Sequence, residues 1–230
     1  TLPDGLAFNV EEEALLTAAR ISSPAATAVT GIGTDLDVRG AGARFRSRFG
    51  LDDRPYLLCV GRIEAAKGSD ALLAYFDAFQ RRHDGTLRLI LLGEPMTKIP
   101  DREDIVVTGY VDADVRRDAL DGALASVHPS YFESFSMTLI EAWAQRRPAI
   151  VNRRCNVLAG QAARSGGALA YDGFPEFEAA VELLLEDGAL GSRLGAAGRA
   201  YVEARYSWQD VLKRYEAFLD VVRERFARSA

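Results

Sequence analysis

From residue 50 onward, short apolar runs alternate with longer amphipathic ones. The apolar runs are YLLCVG (56–61), LRLILLG (87–93), DIVVTGY (104–110), LASVHPS (124–130), PAIVN (148–152) and ALAYD (168–172). They are continuous rather than alternating, the pattern of strands buried on both faces. Between the first two lies SDALLAYFDAFQRR, which puts Leu72, Leu73, Phe76 and Phe79 on one face of a helix, with Ser69 placed to cap it. Strand–helix alternation of this kind predicts an α/β fold, a doubly wound parallel sheet with helices on both faces.

The last third reads as helix. FPEFEAAVELLLED and GALGSRLGAAGRAYVEARY form two segments punctuated by Gly and Asp. SWQDVLKRYEAFLDVVRERF follows, opened by Ser207 with Asp210 three residues later, like a capping box. Its Val211, Leu212, Tyr215, Phe218, Leu219 and Val222 make one stripe, and the mixed charges opposite suit a solvated surface better than a membrane anchor. The first forty residues differ: LAFNVEEEALLTAAR reads as a strand end and a short helix, AATAVTGIGTDLD as a strand entering a Gly-rich loop. They carry too little apolar material for a core of their own. The expected division is therefore 1–38 as the tail of a preceding domain plus a linker, 39–206 as the sheet domain, and 207–230 as a terminal helix.

Composition adds exclusions. Hydrophobic residues make up 48% and charged residues 27% of 230, with a net charge of −5, as in an ordinary globular chain. No dense Lys/Arg block appears, which argues against a nucleic-acid partner. No long apolar run suggests an integral membrane segment and no leader pattern appears, so a cytoplasmic location is expected, with peripheral membrane contact left open. The chain opens on Thr1 and not on Met, so an upstream segment is expected. Cys59 and Cys155 lack metal-ligand spacing and only His83 and His128 are available, so neither a disulfide framework nor a metal site is expected.

In doubly wound sheets ligands bind beyond the carboxyl ends of the strands, so the candidate chemistry lies in the loops that follow them. After the first strand, GRIEAAKGSD offers Gly61 for a tight exit and the cations Arg62 and Lys67 just before a helix N-terminus: a phosphate site, or a solvated loop. After the second, Gly93 would let backbone approach closely and Glu94 could accept a hydrogen bond, though a plain turn is favoured. After the third, Asp112 and Asp114 form an Asp-x-Asp pattern, as do Asp35 and Asp37. Such pairs arise by chance in an Asp-rich chain, and Asp112 reads better as an N-cap.

After the fourth strand comes SYFESFSMTLIEAWAQRRPAIVN, with Glu133 and Glu141 eight residues apart. On one helix that spacing leaves them roughly 80° apart, off a common stripe. A helix starting between them, capped by Ser134 or Ser136, puts Glu133 in the loop facing the cleft and Glu141 inside the helix. The free N–H groups of Phe135, Ser136, Met137 and Thr138 would then cradle an anion between two acids. The plainer reading is a capping Glu and a helix Glu paired with Arg146 or Arg147. His128, at a strand end, reads as a core histidine satisfied by backbone.

VGRIEAAKG, HPSYFESFSMTLIEAWAQRRPAIV and YSWQDVLKRYEAFL together resemble the C-terminal domain of the family 4 (group 1) retaining glycosyltransferases, over residues 30 to 222. The resemblance implies the Rossmann-like C-terminal half of a GT-B enzyme with a helical tail, and a donor that is a nucleotide diphosphate sugar. A UDP-sugar leads on family frequency. It implies that Arg62 and Lys67 stabilise the departing diphosphate and that Glu133 holds donor-sugar hydroxyls; these three are the catalytic candidates. Glu141 would hold the ribose, the N–H groups of Ser136 to Thr138 would assist, and the backbone near Tyr110 and Val111 would receive the base. Gly61 and Gly93 complete the donor-binding set, and no cofactor or bound metal is implied. GIGTD (31–35) looks like the interdomain linker. The acceptor, unidentified, would be held mainly by an N-terminal domain, without which the chain is expected to be inactive.

Two departures from the family pattern stand out. ESFS replaces EGFG, and AQRRP lacks the usual small residue before Pro148. A non-catalytic nucleotide-sugar or phosphate-binding module remains the alternative. A receiver-like domain is disfavoured, because Arg62 and Lys67 stand where it would need acids.

Overall fold

The computed structural model describes residues 3–20 and 25–229. Six strands form one parallel sheet: β3 (Tyr56–Val60), β4 (Arg88–Leu92), β5 (Ile105–Val107), β6 (Ala125–His128), β7 (Ala149–Asn152) and β8 (Ala168–Tyr171). Their spatial order is β5-β4-β3-β6-β7-β8. The chain thus winds outward from β3 in one direction, then returns to lay β6 on the other side of β3. The β3–β6 boundary is the topological switch point.

Each buried strand sends alternate side chains to opposite layers. Leu57, Leu89, Leu91, Val127 and Ile150 meet Leu72, Phe76 and Phe79 of α3 (Ser69–Arg82) and Phe177, Val181 and Leu184 of α7 (Phe174–Glu186). On the other face, Tyr56, Leu58 and Ile90 meet Phe45 of α2 (Gly42–Phe49) and Val115, Ala119 and Leu120 of α4 (Ala113–Gly122). On that face too, Ala149 and Val151 meet α5 (Met137–Ala144), α6 (Asn156–Ser165) and α8 (Gly188–Arg205). Asp112 caps α4 as expected, accepting from the Val115 N–H at 2.8 Å.

Ser69 does not cap α3. Gly68 holds that position at φ 77°, after a 3-10 turn over Ala65–Lys67, and Ser69 is the first helical residue. Helix α2 lies where no helix was singled out, and α6 fills the interval between PAIVN and ALAYD, where the alternation called for a helix without marking its residues.

A separate pair of parallel strands, β1 (Gly5–Phe8) and β2 (Ala26–Val29), flanks α1 (Glu11–Ala18). Val10 is fully buried among Phe135, Leu158 and Tyr206, and Glu12 meets Arg164 of α6 at 2.5 Å. The last helix, α9 (Trp208–Ser229), starts at Ser207, whose Oγ accepts from the Asp210 N–H at 3.1 Å. Its apolar stripe is divided. Val211 is buried and Phe218 and Val222 crowd Gly5 of β1, whereas Leu212, Tyr215 and Leu219 are 54%, 44% and 40% exposed.

Helix α5 is seated by Trp143. Its indole N–H donates to the Gly167 carbonyl at 2.9 Å, and a Cβ added at Gly198 of α8 would lie 2.2 Å from the ring. Gly198→Ala is therefore expected to destabilise the chain by about 1–3 kcal/mol through overpacking, read as a lower urea midpoint at unchanged m-value.

Candidate functional site

A cleft of about 280 Å³ opens at the switch point, lined by the ends of β3 and β6, the loop into α3 and the start of α5. Gly61, Arg62, Lys67, Glu133, Ser136, Met137 and Thr138 all line it. So do Ile32, Ser69, Ser130 and Ser134, which sequence reasoning did not single out for the site, although ESFS contains one of them.

Lys67 reaches the cleft from the 3-10 turn, and its Nζ lies 2.9 Å from Glu133 Oε1. Arg62 is more open, its side chain 69% exposed and 3.3 Å from Glu64. Glu133 belongs to a loop fastened from below. Phe135 is buried edge-on to Tyr206, with ring centroids 5.1 Å apart, and its carbonyl accepts from the Gln161 amide. The N–H groups of Met137 and Thr138 lie in the first turn of α5 and have no intrahelical acceptor, so the positive end of the helix faces the cleft.

Ser136 holds the N-cap position of α5, but its side chain makes no cap hydrogen bond. Its φ of 67° and ψ of 74° are left-handed. Arg146 is also left-handed, at φ 58°. These are two positions where the resemblance expects glycine or a small residue. The backbone keeps a shape suited to glycine while carrying a side chain, which costs about 1–2 kcal/mol at each.

Glu141 does not share the cleft. It lines a smaller cavity of about 110 Å³ with Thr34, Asp35, Arg116 and Gln145. Its partner is neither Arg146 nor Arg147 but Arg116 of α4, 2.8 Å away. Burial raises the Glu141 pKa above its ordinary 4.5, and the Arg116 charge opposes that rise. Nothing in the local spacing pointed to Arg116.

The remaining candidates lie outside both cavities. Gly93, at φ 150°, does allow a close approach, but to protein: a Cβ there would sit 2.0 Å from the Gly61 carbonyl oxygen. The Tyr110 N–H already donates to Glu94 at 3.3 Å, while its ring is 82% exposed. Val111 is half-buried against the α2–α4 layer.

His128 is buried, but its imidazole is satisfied by a side chain rather than by backbone: Nε2 lies 2.9 Å from Ser126 Oγ. Burial holds its pKa down to about 3, so it is neutral at physiological pH. Cys59 and Cys155 are free thiols. Far from the cleft, His83 lies 3.2 Å from Glu178 and 3.5 Å from Glu182. Arg82 already pairs with Glu178 at 2.5 Å, which makes the group an ion-pair network tying α3 to α7.

The family model described as glycosyl transferases group 1 matches residues 54–187, more than half of the chain. The chain belongs to the group 1 glycosyltransferases. It is 32% identical over 226 residues to the D-inositol 3-phosphate glycosyltransferase of Segniliparus rotundus, covering 90% of this chain and 49% of that one. Among solved structures it resembles the sucrose-phosphate synthase of Thermosynechococcus elongatus, with a TM-score of 0.80 at 23% identity, covering 99% of this chain and 59% of that one. It also resembles Anabaena HepE in complex with UDP and glucose, with a TM-score of 0.80 at 13% identity, covering 95% of this chain and 63% of that one. This group 1 glycosyltransferase chain spans about half the length of the curated relatives it matches. Among the described residues no helix is long and apolar enough to cross a membrane.

The depressed His128 pKa gives an acid-stability test. The unfolded imidazole binds a proton below its ordinary 6.5 and the folded one does not until about 3, so stability is lost as pH falls between those values. This group's share of the slope is at most about 1.4 kcal/mol per pH unit. Urea titrations from pH 7 to 4 should show it, and His128→Gln should flatten it.

Proposed function

We propose that this chain is the donor-binding half of a retaining glycosyltransferase, which moves a sugar from a nucleotide diphosphate sugar to an acceptor. The observation that carries this is the cleft at the switch point, where Arg62, Lys67 and the positive end of α5 converge beside Glu133. A diphosphate placed there meets two cations and free N–H groups arranged before it arrives. Such fixed charge stabilises the negative charge that builds on the leaving nucleotide. Glu133 accepts hydroxyl hydrogens of the donor sugar. Glu141 keeps Arg116 on one oxygen and offers its remaining acceptor sites to the ribose hydroxyls. The exposed ring of Tyr110 and the backbone beside Val111 and Gly93 flank the base.

UDP is the proposed nucleotide, supported by the UDP complex of a structural neighbour. In this reading residues 1–38 are the end of an N-terminal domain and its linker, supported by the separate β1–β2 sheet. Residues 39–206 form the donor domain. Residues 207–230 return to the N-terminal domain, supported by the contact of Phe218 and Val222 with β1. The N-terminal domain holds most of the acceptor site, so the chain alone binds donor without transferring sugar. The location is cytoplasmic.

Calorimetry with UDP, GDP and ADP tests the reading. One nucleotide should bind saturably, and Lys67→Ala and Arg62→Ala should each weaken it about tenfold or more, as expected for lost charge-assisted hydrogen bonds. Measurable transfer by the chain alone would overturn the proposed division of labour. Binding should also weaken as pH falls through the raised Glu141 pKa, because only the ionised carboxylate is a full acceptor. Glu141→Gln should bind more weakly but lose that pH dependence.

A further inference from the structure

We propose that Gln161 is a positioning residue, which holds the Phe135–Ser136 peptide so that its N–H faces the cleft. The proposal rests on the donor reading given above and names what keeps its geometry in place. Gln161 lies on α6 and is 0% exposed. Its helix neighbours Val157, Leu158 and Ala162 belong to the same apolar cluster as Phe135. Its Nε2 donates to the Phe135 carbonyl, while its Oε1 is buried with no partner among the described residues. A buried amide with one end unpaired is a poor choice for stability. Asn152, 3% exposed, shows the contrast. Its Nδ2 donates to the Pro129 carbonyl at 3.0 Å and its Oδ1 accepts from the Arg154 N–H at 3.0 Å, so both ends are used. What Gln161 supplies is direction.

The backbone says which direction. The Phe135–Ser136 peptide is trans, so its C=O and N–H point to opposite sides. With the Phe135 oxygen drawn toward α6 and the core, the Ser136 N–H points the other way, toward the cleft that Ser136 lines. This orientation sets Ser136 at φ 67°. Rotating the peptide by half a turn would carry φ to negative values, the ordinary region for serine, and would turn the N–H away from the cleft. Serine favours the rotated peptide, and the Gln161 amide opposes the rotation by holding the oxygen.

Gln161→Met keeps the length of the side chain and removes both the donor and the unpaired oxygen. Its Tm is expected within a few degrees of wild type. Its affinity for the nucleoside diphosphate, read by calorimetry, is expected to fall about tenfold. The same substitution in a Ser136→Gly background should lower affinity less than about threefold, because glycine takes the left-handed conformation without help. That contrast separates direction from packing, since a residue that only fills the core loses affinity equally in both backgrounds. Equal losses, or wild-type affinity in Gln161→Met, overturn the proposal. So does a Gln161→Met chain too unstable to assay, which would make the amide a stabilising element. If the wild-type chain binds no nucleoside diphosphate, the donor reading falls as well; saturable wild-type binding with equal losses removes this inference alone.

Discussion

The seating of Trp143 decides where the rest of the site can be. Helix α5 has eight residues, too few to be stable alone, so its position comes from packing. Leu139, Ile140 and Trp143 are fully buried, and the Trp143 ring fits only because Gly167 and Gly198 lack side chains. At the other end Arg199, itself buried, donates to the Ala144 carbonyl at 2.6 Å and to the Leu36 carbonyl at 2.9 Å. A cation on the last turn suits the helix dipole. With the carboxyl end pinned in this way, the amino end is held over the switch point between β3 and β6. The cleft is a consequence of that orientation.

Much of this was legible in the chain. Continuous apolar runs such as LRLILLG can be buried on both faces only in a covered parallel sheet, and their order along the chain fixed the place to look for ligands. Lys67 and Glu133 could be found because each lies in the segment that joins a strand to the next α-helix. What escaped had no local signature. Helix α2, GARFRSRF, is short, with three arginines among its eight residues, and it shows itself only in the burial of Gly42 and Phe45. The bounds of helix α6, NVLAGQAARS, were likewise unmarked: it contains a glycine and small residues that let it lie close to Glu12. The pairing of Glu141 with Arg116 joins two helices across 25 residues, a distance that no periodicity encodes.

Ser136 and Arg146 show a different limit. From sequence, each looked like a departure that narrows or alters the site. In the structure both keep φ near 60°, with Arg146 pressed against α8, where a Cβ at Gly195 would lie 2.0 Å from its carbonyl oxygen. The fold tolerates the loss of glycine because neighbouring elements over-determine the backbone. Of the two, only Ser136 puts its side chain into the lining of the cleft.

The contact between Lys67 and Glu133 also sets a threshold. An arriving anion does not meet a bare ammonium group. It meets one already neutralised by a carboxylate 2.9 Å away, and must outcompete it. A small monovalent ion such as chloride gains little in that exchange. A diphosphate brings more charge and reaches several donors at once, so it can free the carboxylate for a new role as acceptor. On the proposed reading the internal pair is a built-in competitor, so the charge an anion brings, and not only the size of the opening, decides whether it enters.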